Sequence, residues 1–262
     1  MIGLYDSGLG GLTVLAALRA AGVTQDVVYF ADQAHVPYGD RTDAQIQGYH
    51  RENFATLASL GVELLVMGCN SSCAVGQRLG WPKTAFPILD LIESAGRSLA
   101  AAPYKRIAVV ATPTTVRSGA YGRAIRAALP GAEVVEVAAP ALVPLVERGA
   151  AESDEAGEAV HAVVAELPAG LDAVVYGCTH YPLLDRWFAY ALDESVVRID
   201  PADAQAAAAL EVLAQIRMPA GRAQTLYYTT GDAVAFERGV CRWTREDDVN
   251  VTALRPGSSS AA

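Results

Sequence analysis

The feature that most constrains the fold is a pair of matching strings, Val66-Met67-Gly68-Cys69-Asn70-Ser71 and Val175-Tyr176-Gly177-Cys178-Thr179-His180, set in two halves of one chain. Each string closes a short apolar run, and such runs, bounded by turn residues, recur along the whole sequence with helix-like stretches between them. Runs of this length suit strands covered on both faces, and their alternation with helices marks an α/β chain with largely parallel sheets. The first half offers residues 2–5, 27–31, 64–68 and 87–89; the second offers 107–111, 134–137, 173–176 and 196–199. Helical stretches such as 11–20, 43–60 and 153–166 fill the intervals. The third strand ends in Gly-Cys in both halves, and Cys69 follows Asp6 by 63 residues where Cys178 follows Thr112 by 66. An internal repeat is therefore expected: two pseudo-symmetric lobes, each a mostly parallel sheet flanked by helices, facing one another. Ligands of such sheets lie beyond the carboxyl ends of the strands. Both cysteines fall there, so the active site is placed in the cleft between the lobes.

On this plan residues 1–95 form an N-terminal lobe and 96–210 a C-terminal lobe, with 90–102 crossing between them. An Ala-rich helix, 204–216, follows the last strand of the second lobe, and Asp200-Pro201 reads as a strand stop. The segment 211–262 is expected to pack back on the first lobe, through a strand at 225–228, a helix at 233–239 and a strand at 249–254. Residues 257–262 read as disordered.

Composition narrows the function. A net charge of −9 argues against a broad basic surface, so no nucleic-acid partner is expected. It does not exclude a small anionic substrate, which backbone N–H groups at helix N-termini can hold. No apolar run has the length of a membrane span, and the chain enters a strand at once without a basic leader, so a soluble, cytoplasmic protein with no membrane partner is expected. Four irregularly spaced cysteines do not make a disulfide scaffold. Lys83 and Lys105 are the only lysines, one in a loop and one before a strand. Neither is placed for the Schiff base that pyridoxal phosphate requires, and no cofactor is expected.

Two thiols at strand ends suit one chemistry in particular. Inverting an α-amino acid means taking the α-proton from one face and returning a proton to the other, which two groups flanking the carbon do directly. Cysteine, with a reference pKa of about 8.5 that falls near helix N-termini and cations, can serve as either acid or base. Both Gly-Cys strings stand where a helix is expected to begin, so helix dipoles would favour the thiolate. Asp6 and His180 are ionisable neighbours at strand ends. Asn70, Ser71 and Thr179 offer donors to an α-carboxylate, and Pro37-Tyr38-Gly39 forms a turn able to hold a second carboxylate.

Blander readings compete. Asp6-Ser7-Gly8-Leu9-Gly10-Gly11 after a strand, with Asp32 ending the next, suggests a dinucleotide fingerprint, but the third glycine comes too early. Cys69, Cys73, Cys178 and His180 have the ligand types of a zinc site, but Cys-x-His is a short spacing and no metal is assigned. Cys73 and Cys241 read as buried small hydrophobes, and His35, His50 and His161 as structural or solvated.

Taken together and in order, Asp6-Ser7-Gly8-Leu9-Gly10-Gly11, Pro37-Tyr38-Gly39, Cys69-Asn70-Ser71, Thr112 with Thr115, and Gly177-Cys178-Thr179-His180-Tyr181-Pro182 resemble the glutamate racemase family. The resemblance runs from Ile2 to about Leu254. It implies a cofactor-independent interconversion of L- and D-glutamate, supplying peptidoglycan synthesis, by a homodimer. It also implies that Cys69 deprotonates the D-enantiomer and Cys178 the L-enantiomer, with Asp6 assisting the first thiol, His180 the second and Glu147 supporting that histidine. Ser7, Asn70, Ser71, Thr115 and Thr179 would contact substrate, with Tyr38 and Gly39 near its side-chain carboxylate. The chain departs from the usual Ala-Cys-Asn-Thr at Gly68 and Ser71, and from Gly-Thr at Ala111-Thr112. Gly68 is expected to add backbone freedom beside Cys69, and Ser71 lacks a methyl group that would restrict its rotamer. An aspartate racemase, or a homologue that binds without turnover, shares most of these features.

Overall fold

The computed structural model describes residues 1–247 and 249–254. The first half runs β1 (Ile2–Asp6), α1 (Leu12–Ala20), β2 (Val27–Ala31), a 3-10 turn (Tyr38–Asp40), α2 (Asp43–Ser59), β3 (Leu64–Met67), α3 (Asn70–Leu79), β4 (Ile88–Leu89) and α4 (Leu91–Ser98). The second runs β5 (Arg106–Ala111), α5 (Pro113–Ser118), α6 (Ala120–Ala128), β6 (Glu133–Ala138), α7 (Leu142–Glu147), α8 (Asp154–Ala165), β7 (Ala173–Gly177), a second 3-10 turn (Tyr181–Leu184), α9 (Asp185–Ala191) and β8 (Val197–Ile199). The chain then forms α10 (Pro201–Ile216), β9 (Thr225–Thr229), α11 (Ala233–Thr244) and β10 (Val251–Ala253).

The strands make two parallel sheets, ordered β10-β9-β2-β1-β3-β4 and β6-β5-β7-β8. Within each half the order is second, first, third, fourth, so the repeat seen in the Gly-Cys strings is a repeat of topology. Alternate residues of a strand point to opposite faces, and the cores follow that rule. Ile2 and Leu4 of β1 pack with Leu12, Leu15, Ala206 and Phe236 on one side of the first sheet, while Tyr5 joins Phe30, Phe54 and Met67 on the other. In β5, Ile107, Val109 and Ala111 join the Tyr5 cluster, whereas Ala108 and Val110 pack with Leu142, Val160 and Phe188. The lobes thus share an apolar core. Helix α4 lies within it and packs against both α6 and α10.

Register brings the chemistry to one edge of each sheet. Asp6 pairs with Ala31 and Tyr5 with Met67, which sets Asp6, Asp32 and Gly68-Cys69 side by side. In the second sheet Ala111 pairs with Gly177, so Thr112 stands beside Cys178.

Several local readings change. Asp200 caps α10, accepting from the Ala202 N–H at 2.9 Å, and Pro201 occupies its first turn, where a missing N–H costs nothing. The helix therefore starts at Pro201, and its buried Ala202, Ala206, Ala209 and Leu213 pack in the first lobe's core, so the chain leaves the second lobe well before residue 210. The tail adds β9 beside β2 and β10 beside β9. Helix α11 runs past Gly239 to Thr244: a Cβ there would meet Leu9 Cδ1 at 2.7 Å, so this glycine serves close packing rather than a stop. Residues 257–262, read as disordered, lie outside the described residues. Among the described residues no helix is long and apolar enough to cross a membrane.

Gln205, fully buried on α10, donates Nε2 to the carbonyls of both Met67 and Leu89 at 2.9 Å, tying the ends of β3 and β4. Gln205→Leu removes both of these bonds from buried carbonyls and should lower stability by about 2 kcal/mol, read as a shift in the urea midpoint. An unchanged midpoint would show that the carbonyls find other donors.

Candidate active site

A narrow, nearly closed cavity of about 10 Å³, room for about one water molecule, lies between the carboxyl ends of the two sheets. Its wall takes Ser7, Pro37-Tyr38-Gly39 and Cys69-Asn70-Ser71 from the first lobe, and Thr112, Val143 and Cys178-Thr179-His180 from the second. Three expected site residues stand one layer back. Thr179 Oγ1 donates to Asp6 Oδ2 at 3.1 Å, Thr112 Oγ1 donates to Thr115 Oγ1 at 3.1 Å, and His180 Nε2 lies 2.5 Å from Glu147 Oε1. Val143 was not foreseen. It carries no reactive group, and the only clue was its place four residues before Glu147, hence on the same face of α7.

The two thiols sit in unlike surroundings. Cys69 is the N-cap residue of α3, buried, with Sγ 3.7 Å from Ser7 Oγ. Burial and the negative charge of Asp6 push its thiol up to about 12. The expected helix-dipole preference for a thiolate is thus overruled at Cys69, because desolvation outweighs it. Cys178 leads into a 3-10 turn rather than directly into an α-helix, so that argument does not apply there either. What faces Cys178 Sγ is His180 Nδ1 at 3.7 Å.

Burial alone would discharge His180, but its hydrogen bonds to Cys178 and Glu147 raise its pKa well above 6.5. Glu147 answers in kind: burial raises it, yet the His180 bond and charge, with N–H donors from Leu9 and Gln33, hold it below 4.5. Asp6 is raised, chiefly by burial, although His180 and the Gly8 N–H (2.7 Å) work against that.

Two glycines of the β1–α1 loop, Gly8 and Gly10, make room for this contact between lobes. A Cβ on Gly8 would overlap Glu147 Oε1, and one on Gly10 would overlap His180 Nδ1 and come within 2.5 Å of Thr179 Oγ1. A Cβ on Gly39 would reach Thr112 Cβ at 2.8 Å. Gly68 is not a source of freedom. Its N–H donates to Tyr5 O at 2.7 Å, and a Cβ would press on Gly11 Cα and Tyr5 O, both at 3.3 Å. Ser71 needs no methyl to fix it, since its hydroxyl bonds Thr112 Oγ1 across the cleft at 2.8 Å.

Asp32, at the end of the second strand beside the apparent dinucleotide fingerprint, where a ribose-binding acid would stand, has no free oxygen for that role. Its carboxylate, fully buried, accepts from Tyr38 Oη at 2.5 Å and Thr230 Oγ1 at 2.6 Å, with His35 Nδ1 at 2.9 Å. Tyr5 Oη lies 2.5 Å from Tyr38 Oη and accepts from Asn53 Nδ2 at 3.0 Å, so the tyrosine in the cavity wall is held from two sides. Cys73 accepts from the Leu91 N–H at 3.4 Å within the apolar core and does not line the cavity.

The Asp/Glu/Hydantoin racemase family model matches residues 13–209. A glutamate racemase from Gloeobacter violaceus is 41% identical over 93% of this chain and 92% of its own length. The chain belongs to the Asp/Glu/hydantoin racemase family. Among solved structures of this racemase family, a glutamate racemase from Bacillus anthracis superposes with a TM-score of 0.91 at 26% identity, covering 98% of both chains. One from Thermus thermophilus, in complex with beta-chloro-D-alanine, gives 0.84 at 30% identity over 97% of this chain and 96% of that one. In this racemase-family chain the cavity is walled by both lobes, with one cysteine from each.

Two outcomes follow for the His180–Glu147 pair and its glycines. His180's raised value makes its contribution to stability complete below 6.5 and lost as pH climbs through the folded pKa; Glu147's depressed value makes its contribution present above 4.5 and lost as pH falls through its own. NMR of the imidazole should therefore show His180 still protonated above 6.5 in the wild type, and titrating at lower pH in Glu147→Gln; equal titration in both would refute the pairing. Gly10→Ala should displace His180 and cut kcat/KM by about 100-fold or more. Gly48→Ala, whose Cβ meets nothing closer than 3.9 Å, should leave activity unchanged.

Proposed function

We infer that this chain interconverts L- and D-glutamate without a cofactor, through proton transfer by two thiols. The observation that carries this reading is a single narrow cavity with Cys69 from one lobe and Cys178 from the other in its wall, in a chain that aligns with glutamate racemases over nearly its full length. With an L-substrate, Cys178 sulfur as thiolate takes the α-proton, the C–H electron pair remains on carbon, and the Cys69 S–H delivers its proton to the opposite face. The product leaves with the two sulfurs having exchanged states, and the D-direction is the reverse.

The surroundings suit that division. The Cys69 thiol, pushed up to about 12, holds a proton to give. An imidazolium at His180, backed by Glu147, stabilises negative charge on the Cys178 sulfur and can take up or return a proton through Nδ1. Asp6, joined to Thr179, assists on the Cys69 side. The α-proton of an amino acid is only weakly acidic, so the substrate α-carboxylate must take up developing charge. The Ser7 hydroxyl and the Asn70 amide would donate to it there, while Ser71 and Thr179, whose hydroxyl protons go to Thr112 and Asp6, would offer backbone N–H groups. The Tyr38-Gly39 turn, held by Asp32, would meet the side-chain carboxylate and so measure chain length. A mechanism resting on free thiols also favours a reducing compartment, and we place the protein in the cytoplasm, supplying D-glutamate for peptidoglycan.

Purified protein in deuterium oxide, with no cofactor added, should exchange the glutamate α-proton and racemise either enantiomer. Cys69→Ala and Cys178→Ala should each lower racemisation by about 1000-fold or more, the loss of an essential acid or base. Full activity in either variant would sink the two-thiol mechanism. In a mixture of L-glutamate and L-aspartate, preferential turnover of aspartate would overturn the substrate assignment while leaving the chemistry standing.

A further inference from the structure

Tyr121 was not among the expected site residues, yet it is fully buried beside the cavity, on α6 of the second lobe. Its hydroxyl donates to Oδ1 of Asn70, on α3 of the first lobe, at 2.6 Å. Asn70 lines the cavity, and its Nδ2 is buried without a hydrogen-bond partner among the described residues.

These facts fix the orientation of one amide. A phenol has one proton to donate, and among the described residues Asn70 Oδ1 is the only partner of the Tyr121 hydroxyl. Were the amide reversed, Nδ2 would meet the hydroxyl and the phenolic proton would lose its acceptor inside the protein, which is costly. The carbonyl end is therefore committed to Tyr121, and the NH2 end is what Asn70 has left to offer a ligand. An NH2 group facing the cavity attracts a carboxylate, whereas a carbonyl oxygen there would repel it.

We propose that Tyr121 is a positioning residue, which locks the Asn70 amide so that its Nδ2 hydrogens hold a carboxylate of the substrate. The inference rests on the glutamate reading above and adds a residue to it. Because the two residues come from different lobes, the donor is set only when the lobes are together.

The test is a double-mutant cycle on steady-state racemisation, with thermal unfolding recorded for each variant. Tyr121→Phe should raise KM for both enantiomers by about tenfold, the loss of one well-oriented hydrogen bond to a charged group, with a smaller effect on kcat. Placed on Asn70→Ala, the same substitution should cause no further change, because there is no amide left to orient. Losses that multiply in the double variant would overturn the proposal and leave Tyr121 a packing residue. So would Tyr121→Phe with wild-type KM. Asn70→Asp keeps an acceptor for Tyr121 but has no N–H to offer, so it should show at least the same rise in KM; a normal KM there overturns the donor role even if Tyr121→Phe does not fold. Wild-type protein inert toward glutamate would remove both readings, whereas active wild type with an unaffected Tyr121→Phe removes this one alone.

Discussion

The Glu147 carboxylate is the point on which the two lobes become one chemical unit. Oε1 takes His180 Nε2 and the Leu9 N–H, and Oε2 takes Gln33 Nε2 at 2.8 Å. Glu147 and His180 belong to the second lobe, while Leu9 and Gln33 belong to the first. A charged pair this deeply placed is favourable only when every remaining lone pair and proton finds a partner, and here the first lobe supplies those partners. The charge that His180 presents to Cys178 therefore depends on the first lobe's β1–α1 loop being seated. Glycines at 8 and 10 make the seating possible, because any side chain there would occupy the space of Glu147 and His180. Local backbone, cross-lobe packing and the chemistry of one thiol are consequences of the same contact.

The sequence was most legible where the signal is local. Strand ends, the Gly-Cys repeat and the order of the motifs could be read because buried parallel strands advertise themselves as short apolar runs and because the repeat doubles each clue. What could not be read was what faces what. Gly8, Gly10 and Gly39 look like turn residues in one dimension, yet their absent side chains leave room for residues more than 70 positions away. The helix read over 233–239 continues past Gly239, which packs against Leu9, and Asp200-Pro201, read as a strand stop, is a helix cap. Tyr121 carried no motif and Asp32 only a misleading one, since their meaning lies in partners from other elements. Glu147 became visible only through family resemblance, for an acid at the end of a short helix is ordinarily a surface charge. The helix-dipole argument for the thiols failed for a related reason: it counted the near field of α3 and could not count the desolvation of Cys69.

That failure bears on how the two halves divide the work. The topology is repeated, but the thiol environments are not: Cys69 lies near a buried carboxyl group and a serine hydroxyl, Cys178 beside an imidazole backed by a carboxylate. Symmetry of the reaction does not demand symmetric bases. Enantiomers have equal free energy in water, so kcat/KM must be equal in the two directions at every pH, however different the thiols are. Unequal environments cannot favour one product; they can only shift KM and kcat together for each enantiomer. In the proposed two-thiol reaction, what they would accomplish is to define a resting state. Two identical thiols in identical surroundings would share one proton ambiguously, and forms with both sulfurs protonated or both ionised would be idle. On the proposed two-thiol reading, burial favours the protonated Cys69 thiol while the His180 imidazole faces the Cys178 sulfur, so that one acid and one base would stand ready at once. Asymmetry imposed on a symmetric fold would thus ready the site for the proposed reaction, which needs opposite protonation states on its two sides.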